Sequence, residues 1–509
     1  MPPQAKVTDR HEAPDHQESF WDEWKAQRRT AGPTLASMVI NRFPWLISLR
    51  FVGAMGTNEL AAAALATTLF NVTGLSLSVG LSSALTTLTG QARGLLLSKP
   101  ATTKEQSLGP IVYYYRGLLV QLLFVIPMGL WWIYGVEGVL IRLGQSTTLA
   151  HMTAAYLRIL APGLWGYSIN WTTTAWLQTL DMADVPAIAT AVGLVLDVPI
   201  NLIGARYGYL GIAAATVFNQ LVQPCLVLTY LWTRGASRIF ESLGVTTPRP
   251  LFRLCEVQTA LRSGLLQYLS LAVPGIVLIS EWWASEVVIF LGGILDPVAL
   301  AAMSLYQSIN SFCFMFPVSW SIAGAARVGR TVGEGRSGAL AALVSVASAG
   351  MVSACLAVLL WTLPHDWLPS FFAPSQADVV YETSRTIPLL GWYVLGDGLQ
   401  AALNGIVKGT GRQCTAMPIV LVAYWVIGIP LAYYGAFVRH EGQLDCSGCG
   451  PVALVTGMTV ATWTHMLLLA VIVLRTNWNE EIRRARERVG HRDEDYEAVP
   501  LKEDEIELA

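Results

Sequence analysis

Three acidic side chains occupy positions where acids are costly. Glu281 and Glu286 are the only acidic or basic residues of an apolar run over 263–292, and Asp397 lies between Gly396 and Gly398 in a run over 386–406. A charged side chain at the centre of a lipid-embedded helix costs at least ~2.5–3.5 kcal/mol, so each needs a reason to be there. Desolvation disfavours the ionised form of a carboxyl group. An acid held at that balance can take up a proton on one side of a membrane and release it on the other. One proton moving down one pH unit yields about 1.36 kcal/mol, a tenfold concentration ratio. Charge movement adds about 2.3 kcal/mol per 100 mV.

Glu281 and Glu286 are five residues apart, which rotates them by about 140° on a helix. One therefore lines an interior cavity and the other a helix interface. Proton binding is expected first of Glu281, with Asp397 opposite it, and then of Glu286. The plain alternative is that these acids are neutral, or reach the interface, and only brace packing. Asp197, in Val195-Leu-Asp-Val-Pro199, reads either as a further coupling acid or as a helix cap beside a proline kink.

Asn71, Gln178, Gln307 and Tyr424 lie at depth in other apolar runs. With aromatics around them they are candidates for holding an amphipathic organic cation. Interhelical hydrogen bonds, worth about 0.6 kcal/mol each, are the plain reading. His465 stands alone in its run and reads as a packed neutral histidine. Cys446-Ser-Gly-Cys449 lies in a short polar hairpin and suits a loop disulfide or no bond better than zinc, which needs four ligands. Neither a metal set nor a nucleotide-binding lysine loop is present, so no cofactor is expected beyond a coupling ion, H+ or alternatively Na+. Trp21, Trp24 and Arg28-Arg29 suggest a stretch lying on the inner leaflet. Tyr496-Glu-Ala-Val499 fits a tyrosine-type sorting pattern.

The elements carrying these side chains must be membrane helices. Of 509 residues only 13% are charged and 53% are apolar, with a mean hydropathy of +0.47; soluble domains carry about 25% charge. Charge gathers in residues 1–30 and 475–509, leaving roughly 9% between them, too little to solvate a globular surface. Twelve runs have the length of a membrane span, near 34–54, 60–92, 111–134, 152–176, 184–204, 209–233, 263–292, 300–325, 338–363, 386–406, 414–437 and 451–474. Only helices suit, because backbone amides in lipid must be paired internally. A net charge of −2 offers no basic field for nucleic acid.

Loop charges give the orientation. With the hydrophilic N-terminus inside, inner loops carry Arg93, Lys99, Lys104, Arg234, Arg238, Arg249, Arg253, Arg262, Arg327, Arg330, Arg336, Lys408 and Arg412. Outer loops carry only Arg142, Arg206, Arg385 and Arg439. Both termini are therefore expected in the cytoplasm, with the chain in the plasma or vacuolar membrane.

The chain also repeats itself at an offset of about 240 residues. Residues 53–62 align with 293–302, and Gly90-Gln-Ala-Arg-Gly94 falls on Gly329-Arg-Thr-Val-Gly333 after a one-residue slip. Pro186 and Pro199 sit in a context like that of Pro418 and Pro430. The expected fold is all-α: twelve transmembrane helices in two pseudo-symmetric six-helix bundles, with a cavity between lobes that rock to expose it alternately. The divisions are a cytoplasmic segment 1–33, an N-lobe 34–233, a linker 234–262, a C-lobe 263–474 and an acidic tail 475–509.

Residues 33–488 resemble the multidrug and toxic compound extrusion (MATE) family. The resemblance rests on the order and spacing of Phe51-Val-Gly, Glu59-Leu-Ala-Ala-Ala, Asn71-Val-Thr-Gly, Thr87-Leu-Thr-Gly-Gln-Ala-Arg-Gly94, Leu177-Gln178, Glu281-Trp-Trp-Ala-Ser-Glu286, Arg327-Val-Gly, Gly405-Ile-Val-Lys-Gly-Thr-Gly-Arg-Gln413, Tyr424-Trp and Asn477-Trp478. Glu-Trp-Trp-x-x-Glu is similar to the eukaryotic branch. The resemblance implies a cation-coupled exporter of amphipathic organic compounds built as two six-helix bundles, with the family's C-lobe acid pair falling on Glu281 and Asp397; a monomer is expected. Departures are Ser48, where prokaryotic relatives keep Asp, Gly193, where they keep Asn, and Arg330, where Asn is usual. Arg42 and Arg50 have no counterpart in that pattern. A sodium-coupled exporter and a lipid or glycan flippase are the alternatives; an enzyme is not expected, since the helices offer one histidine and neither a histidine cluster nor a Ser/His couple.

Overall fold

The computed structural model describes residues 19–98, 109–244, 257–258, 260, 264–374, 376–444 and 446–490. The acidic tail with Tyr496, loop residues Lys99 and Lys104, and linker residues Arg249, Arg253 and Arg262 lie outside them.

Among the described residues every regular element is helical. In the first half, α1 (Phe20–Ile40) and α2 (Arg42–Gly53) form one span broken at Asn41. α3 (Thr57–Leu69) and α4 (Ser76–Ser98) form the second, continuous through a π-helical turn at Phe70–Leu75. α5 (Gly109–Tyr134), the short corner helix α6 (Val136–Arg142), α7 (Thr147–Thr179), α8 (Asp184–Gly204) and α9 (Gly208–Tyr230) complete it, and α10 (Ala236–Ser242) leads away.

The second half repeats the plan. α11 (Leu265–Val277) and α12 (Ser280–Leu295) are one interrupted span, followed by α13 (Pro297–Gly333), α14 (Ala339–Thr362), the short α15 (Trp367–Phe372) and α16 (Ala377–Thr410). α17 (Gln413–Val420) and α18 (Ile429–Tyr433) join through π-helical stretches, and α19 (Pro451–Leu474) is the last span. Helix α20 (Trp478–Gly490) lies beyond it. Corresponding helices match in length: α7 has 33 residues and α16 has 34.

Local chemistry sets the ends. Asp296 caps α13 by accepting from the Val298 amide at 2.7 Å, with Pro297 in the first turn. Gly411, at φ +78°, closes α16 in the left-handed conformation that a Cβ disfavours.

Eight helical stretches are long and apolar enough to cross a membrane, and one of them, Asp184–Ser242, holds both α8 and α9. The three remaining spans are α1–α2, α7 and α16. α7 packs against α3, α4, α5 and α9, and α16 against α13, α14 and α19. Shielded from lipid by such neighbours, a helix can carry polar side chains that a lipid-facing one cannot. Together these are the twelve spans of two six-helix bundles. Ile126, Val195, Phe290, Val358 and Leu467 are exposed around the outside, as a lipid belt requires.

The halves meet where the repeated glycine motifs lie. A Cβ on Gly94 would stand 2.7 Å from the Glu334 amide nitrogen, and one on Gly333 would stand 2.8 Å from Gln91 Cα. Gly90 and Gly329 face each other at the same crossing. Small residues four apart let two backbones touch, as at close-packed membrane helix crossings.

The first span begins well ahead of the apolar run at 34. Glu23, Gln27 and Thr30 are too polar to register as membrane helix, yet all three are buried, in α1, at the junction of the halves. Trp24, read as part of an interfacial stretch, instead stacks on Trp320 of α13 at 5.9 Å, while Trp21 is exposed. The expected linker contains α10, which Arg238 ties to Asp184.

Candidate coupling and substrate site

In the second half, α12, α16, α19 and the π-helical stretch Leu421–Gly428 surround a polar cluster. Glu281, in the first turn of α12, accepts a hydrogen bond from Gln400 Nε2 at 2.5 Å. Gln400 Oε1 accepts from the Tyr424 hydroxyl at 2.9 Å, and Tyr424 lies 3.0 Å from Thr462 Oγ1. Since the phenol's one proton goes to Gln400, Thr462 donates to Tyr424. His465 Nδ1 is 3.5 Å from Glu281 Oε2. Asp397, one turn before Gln400 on α16, is buried and feels the charge of Glu281. Tyr306, Tyr393 and Lys408 interact electrostatically with this acid pair. His465, alone along its own run, thus lies against Glu281 of α12 and Tyr424 of the π-helical stretch.

Glu281 keeps a quarter of its side chain exposed. Glu286 is half-buried further along α12, on another face. Gln307 on α13 is half-buried, and Asn71, in the π-turn of the first half, is exposed. Gln178 is buried and donates to Thr34 at 3.2 Å, fastening α7 to α1. Tyr424 is likewise engaged with protein partners.

The first half holds a second cluster. Asp197 lies inside α8 and caps nothing, because the helix runs through it to Gly204. Its carboxylate accepts from Asn201 Nδ2 at 3.0 Å and Asn219 Nδ2 at 2.9 Å. Gln223 donates to Asn219 and to Asn41, and accepts from Asn170. Ser48 donates to Asn201 at 3.3 Å. A Cβ on Gly193 would stand 2.8 Å from Asn219 Oδ1, so glycine leaves room for Asn219, which reaches the acid, and for Gln223, which holds Asn219. Arg42 is exposed and interacts electrostatically with Tyr167 of α7.

Sequence reasoning found the acids and missed Gln400, Thr462, Asn201, Asn219 and Gln223. Their signal was polar side chains one turn apart inside apolar runs: Asp397 with Gln400, Asp197 with Asn201, and Asn219 with Gln223.

Between the halves, hydrogen bonds gather at the end of the bundle that carries α20 and the start of α1. Glu23 accepts from Arg327 Nε at 3.0 Å, and Gln27 donates to the Ala341 carbonyl at 2.8 Å. Asp181 pairs with Arg93 at 2.8 Å and with Arg330 at 3.4 Å across the gap. Thr87 donates to the Lys408 carbonyl, Gln91 to that of Gly409, and Gln413 to Thr87. At mid-depth Trp283 donates to Ser76. In the loop before α19, Cys446 and Cys449 form a disulfide, with His440 Nδ1 3.4 Å from Cys446 Sγ.

Two helical bundles related by repetition, closed on each other at one end, with buried acids in each, define an integral membrane protein of the alternating-access transporter type. The chain belongs to the MatE family, whose profile matches residues 33–203 and 267–434. It is 28% identical to Protein DETOXIFICATION 14 of Arabidopsis thaliana over 492 residues, covering 95% of this chain and 94% of that one. Multidrug and toxin extrusion protein 1 of Danio rerio is 26% identical over 468 residues, 91% of this chain and 74% of that protein. The crystal structure of the eukaryotic MATE transporter AtDTX14 superposes with a TM-score of 0.80 at 26% identity, over 92% of this chain and 99% of that one. This is a eukaryotic-type MATE transporter.

Proposed function

We propose that the protein exports amphipathic organic compounds, organic cations first, in exchange for protons. Glu281 and Asp397 carry the proton, Glu286 and Asp197 are secondary acids, and Asn71 and Gln307 are substrate contacts on the two halves. The observation that supports this reading is the Glu281–Gln400–Tyr424–His465 cluster, a partly exposed acid inside a membrane bundle and beside a second, buried acid. An ionised Glu281 attracts a cation, and a protonated one releases it, so substrate and proton exclude each other. By its loop charges the closed end faces the cytoplasm, in the plasma or vacuolar membrane. No cofactor takes part, and a single chain suffices.

Purified protein in proteoliposomes under an imposed pH gradient tests the reading. Substrate should move and a protonophore should stop it. Glu281→Gln should reduce gradient-driven transport at least tenfold while leaving the protein folded, since it removes the titrating group and keeps its shape. Transport sustained by a sodium gradient alone, or unaltered in Glu281→Gln, refutes proton exchange at this acid.

A further inference from the structure

His465 is fully buried in α19, and among the described residues neither of its ring nitrogens makes a hydrogen bond. A buried polar atom without a partner carries its whole desolvation penalty, so its presence calls for an explanation. Its nearest charged atom is Glu281 Oε2, 3.5 Å from Nδ1. Gln400 Nε2 holds the same oxygen at 2.5 Å, and Tyr424 sets its ring edge against the imidazole with centroids 5.7 Å apart. The carboxylate is thus steered toward the imidazole by an amide that Tyr424 itself orients. Half an ångström of side-chain movement converts the 3.5 Å approach into a hydrogen bond.

We propose that Glu281 and His465 form one coupling group that holds a single proton between them. The proposal rests on the proton-exchange reading above. In the loaded state the proton sits on Oε2 or on Nδ1. Moving it breaks O–H as N–H forms, and the pair has no net charge in either case. In the empty state both sites are bare and the pair carries one negative charge, the state that attracts an organic cation. The groups facing this pair are Tyr393, Asp397 and Lys408 from α16, Tyr424 from the π-helical stretch and, behind Asp397, Tyr306 from α13. Lys408 is the only cation among them, and it interacts electrostatically with Glu281. Two sites for one proton bind it more tightly than one site alone, and the observed titration belongs to the pair. His465 is thereby a positioning and proton-sharing residue for Glu281.

His465→Gln removes the second site and keeps a polar side chain. The pH at which transport is half-maximal should then move to the acid side by about one unit. A merely structural role would lower the rate at every pH and leave the midpoint where it was, and that result overturns the proposal. Should the variant fail to fold, nitrogen NMR of histidine-labelled wild-type protein decides. His465 is the only buried histidine among the described residues, so its signal is the one that a soluble paramagnetic agent does not broaden. Its ring nitrogens should titrate over the range in which transport does, and that titration should shift in Glu281→Gln. A single neutral tautomer at all pH values, indifferent to Glu281→Gln, overturns the shared proton. If that happens while Glu281→Gln still loses coupled transport, only the pairing falls and the carboxylate reading stands.

Discussion

Tyr424 governs its site through one oxygen. Its hydroxyl donates to Gln400 Oε1, which leaves the amide nitrogen pointing at Glu281. Tyr424→Phe deletes that donor without changing the ring. Interhelical hydrogen bonds in membranes are worth about 0.6 kcal/mol and at most ~1.7, so a small drop in thermal stability in detergent is expected. Transport should fall more than stability, because Gln400 is then free to turn its oxygen toward the acid. Equal transport in the two proteins would mean that Gln400 is oriented by something else. The same cluster shows what the linear chain conceals. Glu281 was legible because a charge in an apolar run has few explanations. Gln400 and Thr462 were not, since a neutral polar residue in a helix is common and only the meeting of α12, α16 and α19 gives it a partner. His465, alone along the chain, is in contact across it.

At the level of elements, α4 and α13 are repeat-related helices that meet through the same small residues. Val in place of Gly333 would press a side chain into Gln91. Overpacking of this kind costs roughly 1–3 kcal/mol, a five- to hundred-fold change in an equilibrium between closed and open forms of this end. Thr87 is fully buried there. In a background lacking Cys255 and the exposed Cys225, Cys355 and Cys414, a cysteine at Thr87 should be labelled by a water-soluble thiol reagent at least fivefold faster once Gly333→Val is added. Unaltered labelling would show that the glycines only ease packing. The spans themselves were legible, because twenty apolar residues in a row admit one reading. The start of α1 at Phe20 and the docking of α20 were not. Their buried faces are built from Glu23, Gln27 and Glu481, with Arg488 half-buried beside them, and hydropathy scores all four as solvent.

For the whole molecule, the two terminal helices act as straps across the closed end. α1 lies on the first half through Thr34 and Ser37, bonded to Gln178 and Thr190, and on the second through Glu23 and Gln27. α20 sends Arg488 to Gln91 of the first half and to the Thr410 carbonyl of the second. The Glu23 carboxylate is almost fully buried beside Arg327. Removing one member of a buried charge pair costs about 3–5 kcal/mol, because the other charge is left uncompensated. That cost falls on the closed arrangement if opening carries α1 away from α13. The population ratio should then move at least a hundredfold toward opening at this end. Glu23→Gln tests it, with spin labels on Gln145 and Glu441, which stand in loops of opposite halves at the other end of the bundle. Opening at the straps by a rocking motion must bring those loops together, so Glu23→Gln should add a shorter distance to the distribution measured by pulsed electron resonance. A distribution identical to that of the parent would mean that α1 rides with the second half in both states, and that the Asp181 bridge and the Thr87–Lys408 contact hold the end shut without it.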